Sequence, residues 1–451
     1  MPQIIVRWAK SAADRVVYRN VLHQGLALAV ISQRVGCTVQ CGDVLSQGNG
    51  NRSFGACWRF PMTKGKLLAS TAMVGAGLAA APAWAADGVK LGLGGFFSTA
   101  YMAVFDDDSE GELGNERNTD GFFSSAEVHF DGSMVLDNGL TVGAHIELEG
   151  ENSDDQIDEA WVFFSGGFGE ARIGSIDDAL SYSCILPPGG TDNFSAFSPD
   201  QWGANTVISN PACVGVDESD GGDAQKLLYF SPVFAGFQLS VSYTPSGGTQ
   251  DQTEGGGPHV GMPFNNDDES RHNVSAYLTY TYEGDGWGVT WGGGGSFEGH
   301  VEHAPGPNRK KQQFYQTGLN FTFGNFEIGG VFEYYNHALD RGGDKGGVEP
   351  PLAVDAWVAG LGLAYTYDAW VFGAQYSHLD ANNHADSVIK DFTQDRALLI
   401  GSYALGPGIV LDGEIAYTWA DTNPEGGQTA DGTDIDGYDA IEIGVGSTIT
   451  F

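Results

Sequence analysis

The sequence predicts an all-β fold, a transmembrane antiparallel β-barrel of about sixteen strands with short periplasmic turns and long extracellular loops. Three observations carry that reading: apolar and polar residues alternate with period two through residues 87–451, connection lengths alternate between short and long, and an export signal stands ahead of both. Composition agrees. Of 451 residues 67 are Gly, 12% are aromatic and 18% are charged, and the mean hydropathy is a mildly polar −0.17. Glycine and aromatics at that level in a polar chain suit many short strands, not a helical bundle. The formal charge of −37 leaves no basic patch to neutralise phosphates, which argues against a nucleic-acid partner. The clear apolar period argues against disorder.

Export decides which residues belong to the fold. From Met62 the chain reads MTKGKLLASTAMVGAGLAAAPAWAAD. Lys64 and Lys66 make a basic start, Leu67 to Ala81 an apolar stretch, and Ala83-Trp84-Ala85 a small-x-small cleavage site. Residues 62–86 are therefore read as a signal peptide. The uncharged run from Leu67 to Ala86 would also reach across a bilayer as a helix, but the basic start, Pro82 and the cleavage motif favour the signal. Residues 1–61 are basic, hold Cys37, Cys41 and Cys57, and share no pattern with residues 87–451. Two readings stand: a genuine extension, or translation from an upstream start. The second, a non-native extension with Met62 as the true start, is preferred. Residues 87–451 then keep 12 Lys/Arg against 56 Asp/Glu, a formal charge of −44, and two cysteines, Cys184 and Cys213. In an exported chain such a pair suggests one disulfide closing a loop.

The strands are expected, in order, near 89–105, 122–136, 140–151, 156–165, 168–176, 226–232, 236–245, 272–283, 286–297, 312–323, 325–337, 354–367, 369–379, 393–405, 408–419 and 437–451. Phe237, Leu239, Val241 and Tyr243 alternate with Gln238, Ser240, Ser242 and Thr244. Tyr315, Thr317, Leu319, Phe321 and Phe323 alternate with Gln316, Gly318, Asn320 and Thr322. Period two places each set on one face of a strand. The strands at 156–165 and 393–405 alternate ambiguously, and their facing stays open.

Tight turns fall at Asp137-Asn138-Gly139, Gly166-Gly167, Pro232 to Gly236, Gly284-Asp285, Gly324-Asn325, Tyr367-Asp368 and Gly406-Pro407-Gly408. Between them run mostly long, acidic loops at 106–121, 177–225, 246–271, 298–311, 338–353, 380–392 and 420–436, with a shorter one at 152–155. A soluble sandwich has no reason to segregate its loops this strictly, whereas an outer-membrane barrel does. Trp357, Ala359, Leu361, Leu363, Tyr365 and Tyr367 put aromatics at both ends of one face with aliphatics between, as expected where two interfaces flank hydrocarbon. The opposite face is small and polar, which fits a water-filled lumen. Sixteen closed strands make a ring too wide for side chains to fill.

These residues resemble the Gram-negative general diffusion porins, a family of trimeric sixteen-stranded barrels. The resemblance covers residues 87–451 and is strongest in Gly167-Phe168-Gly169-Glu170-Ala171-Arg172-Ile173-Gly174 and in Leu227-Leu228-Tyr229-Phe230-Ser231-Pro232-Val233-Phe234-Ala235-Gly236-Phe237. The first is similar to the short turn and strand leading into the family's constriction loop, the second to the stretch directly after it. The terminal Phe451 is similar to the aromatic end by which such barrels are recognised for outer-membrane assembly.

The resemblance implies a homotrimer in the outer membrane of a Gram-negative bacterium, in contact with lipid and with the barrel-assembly machinery. It implies a channel for small hydrophilic solutes and ions, without catalysis or a cofactor, although the family's acidic outer loops leave room for loosely bound calcium. It also implies that 177–225 folds into the barrel, where a Cys184–Cys213 disulfide would close 29 residues, worth roughly 3 kcal/mol of loop-closure entropy. Asp192, Asp200, Asp217, Glu218, Asp220 and Asp223 lie on that loop. Arg172 is expected to point inward, because Ala171 and Ile173 take the apolar face, and the resemblance makes it the wall cation that faces these loop acids across the pore constriction. Acidic loop residues facing so few wall cations make cation preference the natural expectation.

Other chemistry finds little support. Asp106-Asp107-Asp108-Ser109-Glu110-Gly111 begins like a calcium loop, but Arg117 stands where the twelfth ligand belongs. Glu298, His300, Glu302 and His303 cluster on one loop, read as solvated, so no metal site is assigned. Neither H-E-x-x-H nor G-x-S-x-G occurs. The alternatives to a general porin are a substrate-selective channel, an outer-membrane barrel enzyme and an adhesin.

Overall fold

The computed structural model describes residues 88–106, 118–150, 157–197, 213, 224–246, 270–301, 311–338, 354–383, 391–423, 427–428, 434–435 and 438–451. These form sixteen long strands: β1 (Lys90–Asp106), β2 (Asp120–Val135), β3 (Thr141–Glu149), β4 (Ile157–Gly166), β5 (Gly169–Ser175), β6 (Gln225–Phe230), β7 (Phe237–Ser246), β8 (Ser270–Gly284), β9 (Trp287–Phe297), β10 (Gln313–Phe323), β11 (Phe326–Ala338), β12 (Val354–Tyr367), β13 (Trp370–Asn383), β14 (Asp391–Gly406), β15 (Ile409–Asn423) and β16 (Tyr438–Thr450). Each pairs antiparallel with its sequence neighbours, and β16 returns to β1, with Phe96 opposite Thr450 and Asp106 opposite Ala440. The ring is closed. Phe451 extends the seam, exchanging two backbone hydrogen bonds of 3.1 Å with Gly95.

The seven tight turns join strands at one end of the ring, and the longer connections lie at the other. At the two-residue turns 324–325 and 368–369, Gly324 (φ 60°) and Asp368 (φ 54°) take the left-handed conformation such hairpins need.

Alternation along each strand divides lipid from lumen. Leu239, Leu319, Phe321, Ile328, Leu361, Leu363, Ile415 and Ile443 are exposed on the outer face, while Ser240, Ser242, Gln316, Glu333 and Glu414 are buried on the inner one. Aromatics frame the outer apolar band. Phe237, Tyr282, Trp287, Phe323, Phe326, Tyr367 and Trp370 sit beside the short turns, and Tyr243, Tyr315, Tyr334 and Tyr417 nearer the long loops. That is the pair of girdles expected where strands cross both interfaces.

The two ambiguous strands have a definite facing. In β4, Glu159, Trp161 and Phe163 turn inward and Val162 and Phe164 outward; in β14, Gln394, Arg396, Leu398 and Ile400 turn inward and Leu399 outward. Both carry apolar residues on both faces, so period two alone cannot assign them.

Leu361 lies 64% exposed in the middle of the outer band. Leu361→Arg should destabilise the barrel by about 2–4 kcal/mol, as a cation at mid-bilayer depth does, measured by urea unfolding in lipid vesicles. An unchanged midpoint would contradict a lipid-facing position.

Candidate functional site

Residues 176–197, which follow β5, turn into the barrel and run across its inner wall. This segment starts with a one-turn helix, α1 (Ala179–Ser183), whose N-cap Asp178 is fully buried. Asp178 Oδ1 accepts from the backbone N–H groups of Leu180 (2.9 Å) and Ser181 (3.0 Å). Its Oδ2 accepts from the hydroxyls of Ser275 and Ser296. Ala179 N donates to Ser242 Oγ at 3.0 Å, and the hydroxyls of Ser183 and Ser240 lie 2.7 Å apart. Four small serines on β7, β8 and β9 thus form a polar pad for one capped helix turn. A buried carboxylate needs this number of donors to offset its desolvation.

Beyond α1 the chain lies against the wall so closely that side chains are excluded. Gln316 Nε2 donates to Ile185 O, Asn320 Nδ2 to Leu186 O and Gln375 Nε2 to Pro187 O, at 2.8–3.1 Å. A Cβ on Gly318 would stand 2.1 Å from Ile185 O, and one on Gly362 would stand 2.1 Å from Pro188 O. These glycines are notches in which backbone rests on backbone.

The segment ends at the barrel seam. Asn193 Nδ2 donates to both oxygens of Asp412 on β15 (3.0 and 3.2 Å) and to Thr448 Oγ1 on β16 (3.3 Å), while Thr448 Oγ1 and Ser98 Oγ on β1 lie 2.8 Å apart. Phe194 and Phe197 join Ala100, Met102, Leu398, Ile400 and Ala416 in one buried apolar cluster. At the other end Ile176 and Ala179 bury against Trp161 and Leu228. These clusters explain why β4 and β14 are apolar on both faces: their inner faces receive the loop.

Cys184 and Cys213 are joined in a disulfide, with Cα atoms 5.6 Å apart. Cys213 N donates to Glu333 Oε1 on β11 at 3.0 Å, and Tyr335 OH holds the other oxygen of that carboxylate. The disulfide therefore ties the end of α1 to a second anchor on the wall.

Arg172 points inward, as its flanking residues predict, but it is only 5% exposed. Its guanidinium lies 4.4 Å from the Trp161 ring and 4.9 Å from each of Tyr182 and Phe230, and its Nε donates to Glu170 Oε1 at 2.7 Å. The expected open-wall cation stands behind the loop instead, in an aromatic cage. Asp192 is exposed beside Asn193. Asp200, Asp217, Glu218, Asp220 and Asp223 lie outside the described residues, as do residues 107–111 of the calcium-like segment and the side chains of His300, Glu302 and His303. Glu298 is buried and accepts from Gln312 N at 2.9 Å.

Two features escaped sequence reasoning. Arg396 on β14 pairs with Glu414 on β15 (3.3 Å) and Glu442 on β16 (2.6 Å), all three buried. Glu414 precedes Ile415 and Glu442 precedes Ile443, so each acid occupied an inward position in the alternation, but only the register reveals their common partner. The second is the face of β2–β4. There Glu127, Asp131, Glu147, Glu149, Asp158 and Glu159 share the inner wall with His129 and His145. Ile146 pairs with Ala160 but Leu148 with Ile157, and this register shift leaves both Asp158 and Glu159 opposite Glu147.

The Gram-negative porin family model matches residues 69–423. Two curated relatives, "Monosaccharide porin" of a Halomonas species and "Major outer membrane protein" of Halomonas elongata, are each 26% identical over 360 residues, covering 70% of this chain and 92% of theirs. Among solved structures, OmpT of Vibrio cholerae, an outer membrane protein, is similar in a loop L8 deletion form (13% identity, TM-score 0.52, covering 81% of this chain and 100% of that one). It is also similar in an in-vitro folded trimer form (14%, TM-score 0.51, 81% and 100%).

The notches make the docked segment testable. Gly362→Ala places a carbon where Pro188 O lies, an overpacking cost of about 1–3 kcal/mol that the loop relieves by lifting. The expected result is a higher open-channel conductance in planar bilayers with barrel stability little changed; conductance equal to the parent would contradict the docking.

Proposed function

Because the chain belongs to the Gram-negative porin family, we propose that its outer-membrane channel passes small hydrophilic solutes and ions by passive diffusion, with a preference for cations and without catalysis. The observation that supports cation preference is the charge balance of the inner wall. Glu127, Asp131, Glu147, Glu149, Asp158 and Glu159 occupy one face of β2–β4. Three inward cations among the described residues are each engaged locally: Arg172 with Glu170, Lys226 Nζ with Ile176 O, and Arg396 with Glu414 and Glu442. A narrowed aqueous path between low-dielectric walls focuses such a field, raising the local concentration of cations. The exposed Asp192 adds to it, and the loop acids Asp200, Asp217, Glu218, Asp220 and Asp223 are proposed to act with it.

The assembly is proposed to be a homotrimer, the arrangement the resemblance implies; the similar Vibrio cholerae protein has been obtained in a trimer form. Residues 62–86 are proposed to be a cleaved signal peptide and 1–61 a non-native extension, so that protein isolated from outer membranes starts near Asp87. Contact with the assembly machinery through Phe451 belongs to the same proposal. A second reading, a substrate-selective channel, draws support from the relative named "Monosaccharide porin".

Planar-bilayer recording of detergent-purified protein under a potassium chloride gradient tests these points together. The expected result is stepwise opening in groups of three and a reversal potential of cation-selective sign. Glu147→Gln combined with Asp158→Asn should lower the potassium-to-chloride permeability ratio, by about twofold if the wall field acts as argued. A reversal potential of anion-selective sign overturns the cation argument while leaving the channel. A monosaccharide that blocks ion current saturably would favour the selective reading.

A further inference from the structure

The inner face of β2 and β3 holds an arrangement that charge balance alone does not explain. In the register of these strands His129 lies opposite Glu147, and Asp131 lies opposite His145. The two imidazoles are therefore diagonal neighbours, with ring centroids 5.5 Å apart and edge to face. His145 Nε2 lies 2.7 Å from Glu147 Oε1, and His129 Nε2 lies 3.8 Å from the same oxygen. Among the described residues, His129, His145 and Glu147 offer one ligand atom each, all within 4.8 Å of one another.

We propose that His129, His145 and Glu147 bind a divalent transition-metal cation, zinc or a similar d-block ion, on the inner wall of the barrel. Two imidazoles and one carboxylate are a donor set for such ions, whereas magnesium and calcium favour oxygen alone. Ligand bonds of about 2.0–2.2 Å put tetrahedral donor atoms about 3.4 Å apart. The observed separations bracket that value, so small side-chain rotations close the site.

The surroundings hold the ligands as metal sites do. His145 Nδ1 lies 2.7 Å from Asp131 Oδ1, the carboxylate–histidine pairing that fixes a ring and aims its other nitrogen at a metal. The indole of Trp161 stacks on the same ring at 4.7 Å, locking its plane. His129 Nε2 lies 2.8 Å from Glu127 Oε2, a partner this nitrogen exchanges for the cation when the site fills. With a carboxylate at each nitrogen, His145 donates from both. A cation takes the place of the Nε2 proton on each ring, both protons leaving to solvent, while the Nδ1 hydrogen bond of His145 to Asp131 remains. Glu127 and Asp158, which group with Glu147 in a second carboxylate cluster, stand next to the site to offset remaining charge or orient a bound water. Asp131 has a side chain 62% exposed, which opens the site to the lumen.

No short motif marks this site, because its ligands are paired across strands, with i, i+2 spacing only within β3. Sequence alone therefore assigns no metal here.

The test is zinc binding to tag-free, detergent-purified protein by isothermal titration calorimetry. The expected result is one zinc per chain, weakened at least tenfold by His145→Gln and by His129→Gln, with magnesium giving no comparable signal. Asp131→Asn, which removes the group that aims His145 without touching the metal, should weaken binding by about 10–100-fold. Heat-modified migration of each variant verifies the folded barrel. If the more buried His145→Gln does not fold, His129→Gln decides alone. Absence of zinc binding by the parent, or undiminished binding in the folded histidine variants, overturns the proposal.

Discussion

Everything in this molecule depends on one requirement: within hydrocarbon, no backbone N–H or C=O can be left without a partner. A sheet meets it only by closing, so β1 must find β16 across nearly the whole chain, as the register from Phe96–Thr450 to Asp106–Ala440 records. Closure of this many strands opens a space that wall side chains cannot fill. The space needs an occupant or remains water, and the chain supplies both.

The docked segment shows how a loop is fixed where no ordinary core exists. Its helix turn rests on serine hydroxyls, its middle rests in glycine notches, and its phenylalanines bury against a patch of apolar wall. Each device suits a different property of the segment: an N-terminal cap seeking donors, a backbone too close for side chains, and apolar groups seeking burial. The disulfide adds a constraint that does not depend on packing.

The strands were legible in the sequence because lipid and lumen impose opposite chemistry on alternate residues, and because aromatic bands and turn glycines mark where each strand enters and leaves. All sixteen predicted segments coincide with observed strands. Legibility faltered where the inner wall is not simply wet. Trp161 and Phe163 on β4, and Leu398 and Ile400 on β14, blur the alternation because they pack on the loop. Arg172 was legible as inward, but its cage depends on the seating of α1, which brings Tyr182, and on the pairing of β6, which brings Phe230. The Arg396–Glu414–Glu442 cluster and the His129–His145 pair depend on cross-strand register, which single-strand periodicity does not encode.

Asn193 and Phe194 together act as a latch. Their contacts fall on both sides of the line where the first and last strands meet: Met102 and Ala100 on β1, Thr448 on β16, and Asp412 and Ala416 on β15. These contacts are complete only when both sides of that line are in place. The seating of Asn193 and Phe194 and the joining of the two chain ends therefore stabilise one another. The channel's interior and its wall are thereby coupled, and a chain lacking its final strand would lose the Thr448 anchor of the segment as well as a closed ring.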